Sequence, residues 1–223
     1  MTFDPVDFIR TQTQLLSPSI VPEITLHLAA EVTPLWQLTE ERLHHAGLPP
    51  PFWAVAWPGG QGAARHILDN PGLVKGKRIV DYASGSGLIA IAAMIAGAKS
   101  ALAVDIDPLA IEAITLNAEV NRVKVKTSNG LDLKKPYTSA DLIIAGDICY
   151  QQAMSTTLIR WLRLCVDKGT FVLLSDPGRA YVPQEGLSRL AGYDVPTSLD
   201  IEDKEMRTAT VWKMEKVEIS EES

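Results

Sequence analysis

The chain has 223 residues and a formal net charge of −6, from 21 Lys and Arg against 27 Asp and Glu. This length favours one domain, and the acidic balance argues against a broad basic surface for duplex DNA. No apolar run is long enough to span a membrane, and the two cysteines exclude a disulfide scaffold. The first residues carry neither a secretion signal nor an Arg-rich transit pattern, so we expect a cytoplasmic protein.

The N-terminal segment differs in pattern from the rest of the chain. Residues 23–28 predict a strand, and residues 33–45 predict a helix that begins with Thr33 and Pro34. Three consecutive prolines at 49–51 then stiffen the connection, because each ring fixes its own backbone angle. The predicted division of the chain is a lid segment (1–52), a main domain (53–214) and an acidic flexible tail (215–223).

From residue 77 onward, short apolar strands alternate with helices. Continuous apolar strands in this arrangement predict an α/β fold, in which helices cover both faces of a doubly wound, mostly parallel sheet. Two β-like stretches then follow each other without a helix, which allows an antiparallel hairpin at the sheet edge. The predicted strands are 77–81, 101–105, 123–127, 141–145, 170–175, 193–201 and 206–214, and the predicted helices are 87–96, 107–121 and 151–166.

A glycine-rich turn, residues 81–87 (DYASGSG), joins the first of these strands to its helix. Glycines at such a turn let the backbone approach a nucleotide-like ligand at the carboxyl edge of the sheet. Asp105 ends the next strand, where a carboxylate can accept both hydroxyls of a ribose. Asn129, after the third strand, can bond an adenine amino group or serve only as a turn residue. The pattern therefore predicts a nucleoside-containing cofactor.

Two cofactors of this kind fit the turn. Residues 85–90 (GSGLIA) match the G-x-G-x-x-A pattern of NAD enzymes. Asp81, however, lies beside the turn and would repel a pyrophosphate, and no tyrosine has a lysine four residues further on. The same carboxylate suits the amino and sulfonium groups of S-adenosylmethionine. The sequence therefore favours S-adenosylmethionine over NAD.

The chain carries five motifs that together cover most of residues 49–183. They are 49–68 (PPPFWAVAWPGGQGAARHIL), 79–87 (IVDYASGSG), 103–121 (AVDIDPLAIEAITLNAEVN), 146–150 (GDICY) and 175–183 (SDPGRAYVP). In these motifs the chain resembles class I, seven-stranded methyltransferases, and within that class the lysine methyltransferases of the electron transfer flavoprotein β subunit. The resemblance implies the strand order 3-2-1-4-5-7-6, with the last strand antiparallel.

The resemblance also implies which residues contact S-adenosylmethionine. Ala83 departs from the family pattern, because many relatives have a glycine there, and its methyl group is expected to crowd the turn slightly. The implied cofactor contacts are Trp57, Asp81, Ala83, Ser84, Gly85, Gly87, Asp105, Ile106 and Asn129.

Asp147 and Tyr150 are the predicted catalytic residues. Asp147 follows the fourth strand, and the implied strand order puts it at the carboxyl edge of the sheet beside the cofactor's methyl group. A carboxylate there can attract and orient a lysine ammonium, and Tyr150 can hold the amine or only pack over the sheet. The sequence leaves open whether Asp147 takes the amine's proton itself or passes it to water. Asp147 can also cap the 151–166 helix, and the catalytic and capping roles can coexist. The sequence also leaves open whether Arg179 binds acidic groups of the substrate or pairs with Asp176.

The leading hypothesis is a monomeric, S-adenosylmethionine-dependent methyltransferase that acts on lysines of the electron transfer flavoprotein β subunit. A ribosomal protein, a small amine or a pyridine is the alternative substrate, and a non-enzymatic binding module is a further alternative. Residues 147–150 (DICY) differ from the Asn/Asp-Pro-Pro-aromatic set that grips a flipped base, so we expect no nucleic-acid partner. No membrane association is expected, and no metal site, because His44, His45 and His66 lack partners at ligand spacing.

Overall fold

A seven-stranded sheet forms the centre of the protein. The computed structural model describes residues 3–30, 50–199 and 202–217, so the helix predicted at 33–45 lies outside the described residues. Among the helices within those ranges, none is both long and apolar enough to cross a membrane. The central strands are β3 (Arg78–Tyr82), β4 (Ser100–Val104), β5 (Lys126–Ser128), β6 (Leu142–Gly146), β7 (Phe171–Asp176), β8 (Leu187–Pro196) and β9 (Met206–Met214).

Helices flank this sheet, and a small two-stranded sheet precedes it. The small sheet pairs β1 (Gln14–Leu16) with β2 (Leu26–Leu28) in antiparallel register. Short 3₁₀ turns at Phe52–Ala54 and Pro71–Leu73 lie on either side of the second helix. The α-helices are α1 (Pro5–Gln12), α2 (Pro58–Asp69), α3 (Leu88–Ile95), α4 (Pro108–Val120) and α5 (Gln152–Asp167).

The order of the strands across the central sheet is β5-β4-β3-β6-β7-β9-β8. Counted along the chain within this sheet, the order is 3-2-1-4-5-7-6, which confirms the prediction. Every pair from β5 to β7 is parallel, and β9 runs antiparallel to both β7 and β8. The carboxyl ends of β3, β4 and β6 therefore meet at one edge, where ligands bind in open α/β sheets.

Alternate residues of each central strand face opposite layers of helices. Val80 and Ile143 point toward α5, which contributes Leu158, Leu162 and Cys165 to the same buried cluster. Their neighbours along the strands face the other side, where α2 and α3 pack. Because both faces are covered, the strands read as continuous apolar runs, and the doubly wound α/β prediction is confirmed.

The N-terminal elements pack against the helical layer that covers β3 and β4. Phe8 and Ile9 of α1 share a cluster with Trp53 and with Leu109 of α4. The β2 backbone is also held by hydrogen bonds, because the His27 N–H donates to Asn117 Oδ1 at 2.7 Å. The described part of the predicted lid segment is thus anchored to α4.

Several element predictions differ from the structure, and β2 covers only the second half of the strand predicted at 23–28. The strand predicted at 193–201 is β8, which begins earlier and ends earlier. Most of β8 is solvent-exposed, so it lacks the apolar alternation that reveals a strand, and its pairing with β9 sets its bounds instead. Strand β5 is shorter than the predicted 123–127 and is shifted toward the C-terminus. Helix α1 was not predicted, although the Asp4 side chain caps it and Pro5 begins it.

Candidate active site

A cavity of about 390 Å³ opens at the carboxyl edge of the central sheet. Its volume lies within the roughly 300–1,000 Å³ of typical small-molecule sites. The ends of β3, β4 and β6, the loop before α2 and the loop after β7 all contribute to its wall. The lining residues are Pro50, Phe52, Trp53, Trp57, Ala83, Gly85, Asp105, Ile106, Asp107, Ala110, Gly146, Asp147, Ile148, Tyr150, Met154 and Arg179.

The glycine-rich turn between β3 and α3 forms one wall of this cavity. Ala83, Gly85 and Gly87 all have left-handed backbone conformations, with φ of 57°, 54° and 83°. Glycine adopts this conformation freely, whereas Ala83 adopts it at a cost of about 1–2 kcal/mol. Ala83 therefore strains the turn through its backbone conformation, in addition to the crowding by its methyl group that we expect from the sequence.

Asp81 lies beneath the turn and does not line the cavity. Its side chain is completely buried, and its Oδ2 accepts hydrogen bonds from Ser84 Oγ at 2.5 Å and from the Ala90 N–H at 3.0 Å. Burial raises the pKa of Asp81 to about 7. In this position the carboxylate holds the turn and the first turn of α3 together.

Asp105, by contrast, reaches the cavity from the end of β4. Its two oxygens accept backbone N–H groups, from Gly85 at 2.8 Å and from Asp107 at 3.0 Å. Burial raises the pKa of Asp105 above its ordinary value. Asp107 caps α4, since its side chain accepts from the Leu109 N–H. Asp105 thus fixes the turn and also lines the cavity with its carboxylate.

The predicted cofactor residues divide into two sets. Within the described ranges, Asp81, Ser84, Gly87 and Asn129 are not among the lining residues. Asn129 is exposed, and the other three shape the turn from behind. Those that do line the cavity are Trp57, Ala83, Gly85, Asp105 and Ile106.

Asp147 lies opposite the glycine turn, immediately after β6. Its backbone is left-handed, with φ of 55°, and its N–H donates to the Ser175 carbonyl at 2.9 Å. Asp147 Oδ2 accepts the Gly60 N–H at 2.8 Å, in the first turn of α2. A carboxylate is favoured there because the first backbone N–H groups of a helix are unpaired and carry partial positive charge.

Gly59 makes this approach possible. A Cβ at Gly59 would lie 2.6 Å from Asp147 Oδ2 and 2.5 Å from the Ser175 carbonyl oxygen. The carboxylate therefore contacts the first turn of α2, not that of α5, whose N-cap residue is Gln151. The alternative that Asp147 caps the 151–166 helix is wrong.

Arg179 is the cation nearest to Asp147 in the described site. Its Nη2 lies 3.5 Å from Asp147 Oδ1 and donates to Glu202 Oε1 at 2.6 Å. Asp176 accepts the backbone N–H of Arg179 at 2.7 Å, while the guanidinium pairs with Glu202 instead. Of the two alternatives that the sequence left open for Arg179, pairing with Asp176 is present only as a backbone contact, and Glu202 is a partner that the sequence did not reveal.

One oxygen of Asp147 remains available. Within the described residues, buried Oδ1 has no hydrogen-bond partner. Burial and the neighbouring Asp176 raise the pKa of Asp147 to about 7, while Arg179 and the N–H groups of Gly60 and Gly59 oppose the shift. A buried carboxylate oxygen without a donor is costly, and a cationic group in the cavity would satisfy it.

Aromatic rings line the wall beside Asp147. The Phe52 ring lies 5.7 Å from that of Tyr150 and 5.9 Å from that of Trp57. Trp57 Nε1 donates to the Phe52 carbonyl at 2.8 Å, and the Arg179 guanidinium lies 5.7 Å from the Trp57 ring. Tyr150 is 46% exposed, so its ring forms an outer part of the wall. Such rings can hold a cation against their faces.

Other reactive side chains nearby are not poised for chemistry. Burial raises the pKa of the Cys149 thiol to about 12, which keeps it protonated. In the described part of the chain, no group of three or more His, Cys, Asp or Glu residues could hold a metal ion. His44 and His45 lie outside that part.

Sequence reasoning missed three contributors to the site. Gly59 and Gly60 lie within the 49–68 motif, but their contact with Asp147 was not predicted from the sequence. Two glycines directly after Pro58, at the start of a helix, indicate that another segment approaches the backbone closely there. Glu202 carried no local signal, since only the hairpin between β8 and β9 brings it to Arg179.

The chain is similar in sequence to known methyltransferases. The family model for ribosomal protein L11 methyltransferase (PrmA) matches residues 66–173. The human electron transfer flavoprotein beta subunit lysine methyltransferase is 37% identical over 214 residues, covering 92% of this chain and 80% of the human protein. The Xenopus laevis enzyme of the same name is also 37% identical, covering 95% of this chain and 87% of its own length.

A solved structure shares the fold. It belongs to a Pyrococcus horikoshii protein described as a proposed RNA methyltransferase, with a TM-score of 0.53 and 17% identity, and the match covers 71% of this chain and 83% of that one. At this identity the similarity concerns the fold alone. The sheet order and the cavity, with the relatives, define an S-adenosylmethionine-dependent methyltransferase. The chain belongs to the family of electron transfer flavoprotein β-subunit lysine methyltransferases.

Proposed function

We propose that this methyltransferase transfers methyl groups to lysine side chains of the electron transfer flavoprotein β subunit. The observation that carries the proposal concerns Asp147 Oδ1, a buried carboxylate oxygen at the cavity. Within the described residues it has no hydrogen-bond donor, and Arg179 Nη2 lies 3.5 Å away as an ion-pair partner. The relatives that match nearly the whole chain are named for that substrate. A buried anionic oxygen complements the ammonium group of such a lysine.

Asp147 brings the lysine into the cavity and orients it. Lysine has an ordinary pKa of about 10.4, so it arrives as an ammonium ion and must lose a proton before it can act as a nucleophile. The Asp147 carboxylate attracts that ammonium, and its pKa of about 7 lets it accept the proton or pass it to water. The N–H groups of Gly60 and Gly59 hold the carboxylate in place throughout.

The cofactor fits the opposite wall. Gly85 and Ala83 offer a backbone surface, and Asp105 offers a carboxylate for the ribose hydroxyls. Bound S-adenosylmethionine supplies an electrophilic methyl group on a sulfonium centre. Trp57 and Ile106 contribute apolar contact area to the same cavity. Asp81 acts here indirectly, because it holds the turn on which these contacts depend.

Tyr150 and Phe52 form the aromatic side of the lysine channel in this proposal. Their rings lie 5.7 Å apart and both line the cavity beside Asp147. The apolar methylenes of a lysine pack against such rings, while the charged end is held by cation–π attraction and by the carboxylate. Excluding water there favours the neutral amine.

A ribosomal protein is the second candidate substrate. The L11 methyltransferase model matches residues 66–173, and the Histophilus somni enzyme of that name is 48% identical over 71 residues, which is 31% of this chain. The model match covers the glycine turn and Asp147 but neither Arg179 nor Glu202. This similarity therefore favours a common cofactor site more than a common substrate.

The remaining parts of the proposal concern organisation. We infer that the enzyme is a cytoplasmic monomer and that the described part of the lid segment, residues 3–30 and 50–52, covers the cavity. Residues 218–223 of the predicted acidic tail lie outside the described residues. Pro50 and Phe52, at the end of the lid segment, line the cavity, which supports the lid role. The acidic net charge and residues 147–150 argue against a nucleic-acid substrate.

A substrate panel tests the proposal. The enzyme is incubated with tritiated S-adenosylmethionine and, in separate reactions, with electron transfer flavoprotein, ribosomal protein L11 or a mixture of small amines and pyridines. Label should enter the β subunit and map to lysine after proteolysis. A β subunit whose lysines were acetylated beforehand is the matched control and should take up no label, because an amide nitrogen is not nucleophilic. Stronger labelling of L11 or of a small amine would overturn the substrate assignment.

A further inference from the structure

Arg179 forms ion pairs with two carboxylates, Asp147 and Glu202, but among the described residues its guanidinium hydrogen-bonds only Glu202. Its Nη2 donates to Glu202 Oε1 at 2.6 Å, the length of a strong charge-assisted bond. The same nitrogen lies 3.5 Å from Asp147 Oδ1, and no hydrogen bond forms there within the described residues. A guanidinium beside an unhindered carboxylate normally forms two short parallel bonds. The position of Arg179 therefore needs a restraint that keeps it off Asp147.

Glu202 supplies that restraint. It is only 6% exposed, and its second oxygen accepts Arg207 Nε at 3.3 Å. Arg207 is in turn paired with Asp203. The Glu202 backbone N–H donates to the Ser198 carbonyl at 3.0 Å, which fixes the turn between β8 and β9. Glu202 is thus buried and anchored before it meets Arg179.

We propose that Glu202 is a positioning residue that holds the Arg179 guanidinium away from Asp147 and so keeps Oδ1 open for the substrate ammonium. The inference rests on the proposed function, because it assigns that oxygen to the lysine. Arg179 then stabilises the carboxylate by charge at a distance, without occupying its free oxygen. Loss of the Glu202 charge would let Arg179 close onto Asp147 and compete with the lysine.

The proposal depends on how the other groups around Asp147 behave. Gly60 and Gly59 present backbone N–H groups from α2, which do not titrate. Asp176 faces Asp147 from the end of β7 and already accepts two backbone N–H groups through its Oδ1. The Cys149 thiol stays neutral. Among the described residues at this site, Arg179 is therefore the cation that can move its hydrogen bond from Glu202 to Asp147.

Steady-state kinetics with wild type and three variants tests this role. Glu202→Gln keeps the side-chain volume but weakens its hold on Arg179, because a neutral acceptor forms a weaker bond than a carboxylate. We expect its KM for the protein substrate to rise about 10- to 100-fold, the range expected for a competing charged hydrogen bond, with a smaller change in kcat. The double variant Arg179→Gln/Glu202→Gln should have a lower KM than Glu202→Gln alone, because the competing cation is gone. Glu205→Gln removes the same charge from an exposed position on the same turn and should behave as wild type.

A crystal structure of Glu202→Gln separates this mechanism from a general loss of structure. We expect the guanidinium to lie about 2.8 Å from Asp147 Oδ1, the length of a charge-assisted bond. An Arg179 that stays at the wild-type distance, or a double variant no better than Glu202→Gln, would overturn the proposal. If wild type methylates no lysine while Arg179 still closes onto Asp147 in the crystal, the proposed function fails and the positioning role stands.

Discussion

Replacing Gly59 with alanine tests the contact between α2 and Asp147. The new Cβ would lie 2.5 Å from the Ser175 carbonyl oxygen and 2.6 Å from Asp147 Oδ2, whereas ordinary contacts begin at 3.4 Å. Both neighbours must therefore move by roughly 1 Å, and a displacement of that size can cost about 10²-fold in rate. We expect kcat to fall by about two orders of magnitude.

The same substitution changes stability much less. Overpacking of this kind costs about 1–3 kcal/mol, while exchanging glycine for alanine in a helix regains about 1 kcal/mol. The net loss is about 0–2 kcal/mol. For a chain of this size each kcal/mol shifts Tm by about 2–4 °C, so the melting temperature should fall by no more than about 8 °C.

Gly60→Ala is the matched comparison. It lies one residue further along α2, and a Cβ there meets nothing within 4 Å. Its backbone N–H still donates to Asp147, so methylation kinetics should exceed those of Gly59→Ala by about 10²-fold. Cofactor affinity, measured by calorimetry, should be similar in both variants. Equal turnover in the two variants would refute the idea that Asp147 must approach the first turn of α2 closely.

Three further predictions follow from the charges and backbone of the site. The kcat/KM of wild type should rise with pH through about 7, because the pKa of Asp147 is raised to that value and only its ionised form attracts an ammonium; Asp147→Asn should lack this step. Asp105→Asn should weaken cofactor binding by about 10-fold in calorimetry, because the ribose would lose a charged acceptor. Ala83→Gly should stabilise the fold by about 0.5–1 kcal/mol in urea unfolding, because glycine relieves the left-handed strain by more than its entropy costs. A flat pH profile, unaltered affinity or a destabilised Ala83 variant would contradict the respective prediction.

The central sheet was predictable because its strands are apolar on both faces. β6, for example, is buried along nearly its whole length. A short, continuous apolar run of this kind is typical of a parallel strand that is covered on both faces. The edge strand β8 was misplaced for the opposite reason. Its side chains are largely exposed, so its position depends on pairing with β9, which a local pattern does not reveal.

The site was predictable where function depends on the end of a strand. Asp105 and Asp147 follow β4 and β6, and strand order alone brings them to one cavity. Asp81 was harder to interpret, because sequence does not show whether a carboxylate faces the ligand or the turn beneath it. Contacts between distant segments, such as Arg179 with Glu202, depend on the folded hairpin and left no trace in either local sequence.

The most direct test of the account is the intact mass of the electron transfer flavoprotein β subunit after incubation with enzyme and S-adenosylmethionine. Wild type and Asp147→Asn are compared at equal cofactor occupancy, checked by calorimetry. We predict that wild type adds whole methyl masses and that the variant, which keeps the shape of Asp147 but not its charge, is slower by at least about 10²-fold. Equal methylation by both proteins would contradict the role of Asp147, and no methylation by wild type would contradict the proposed substrate.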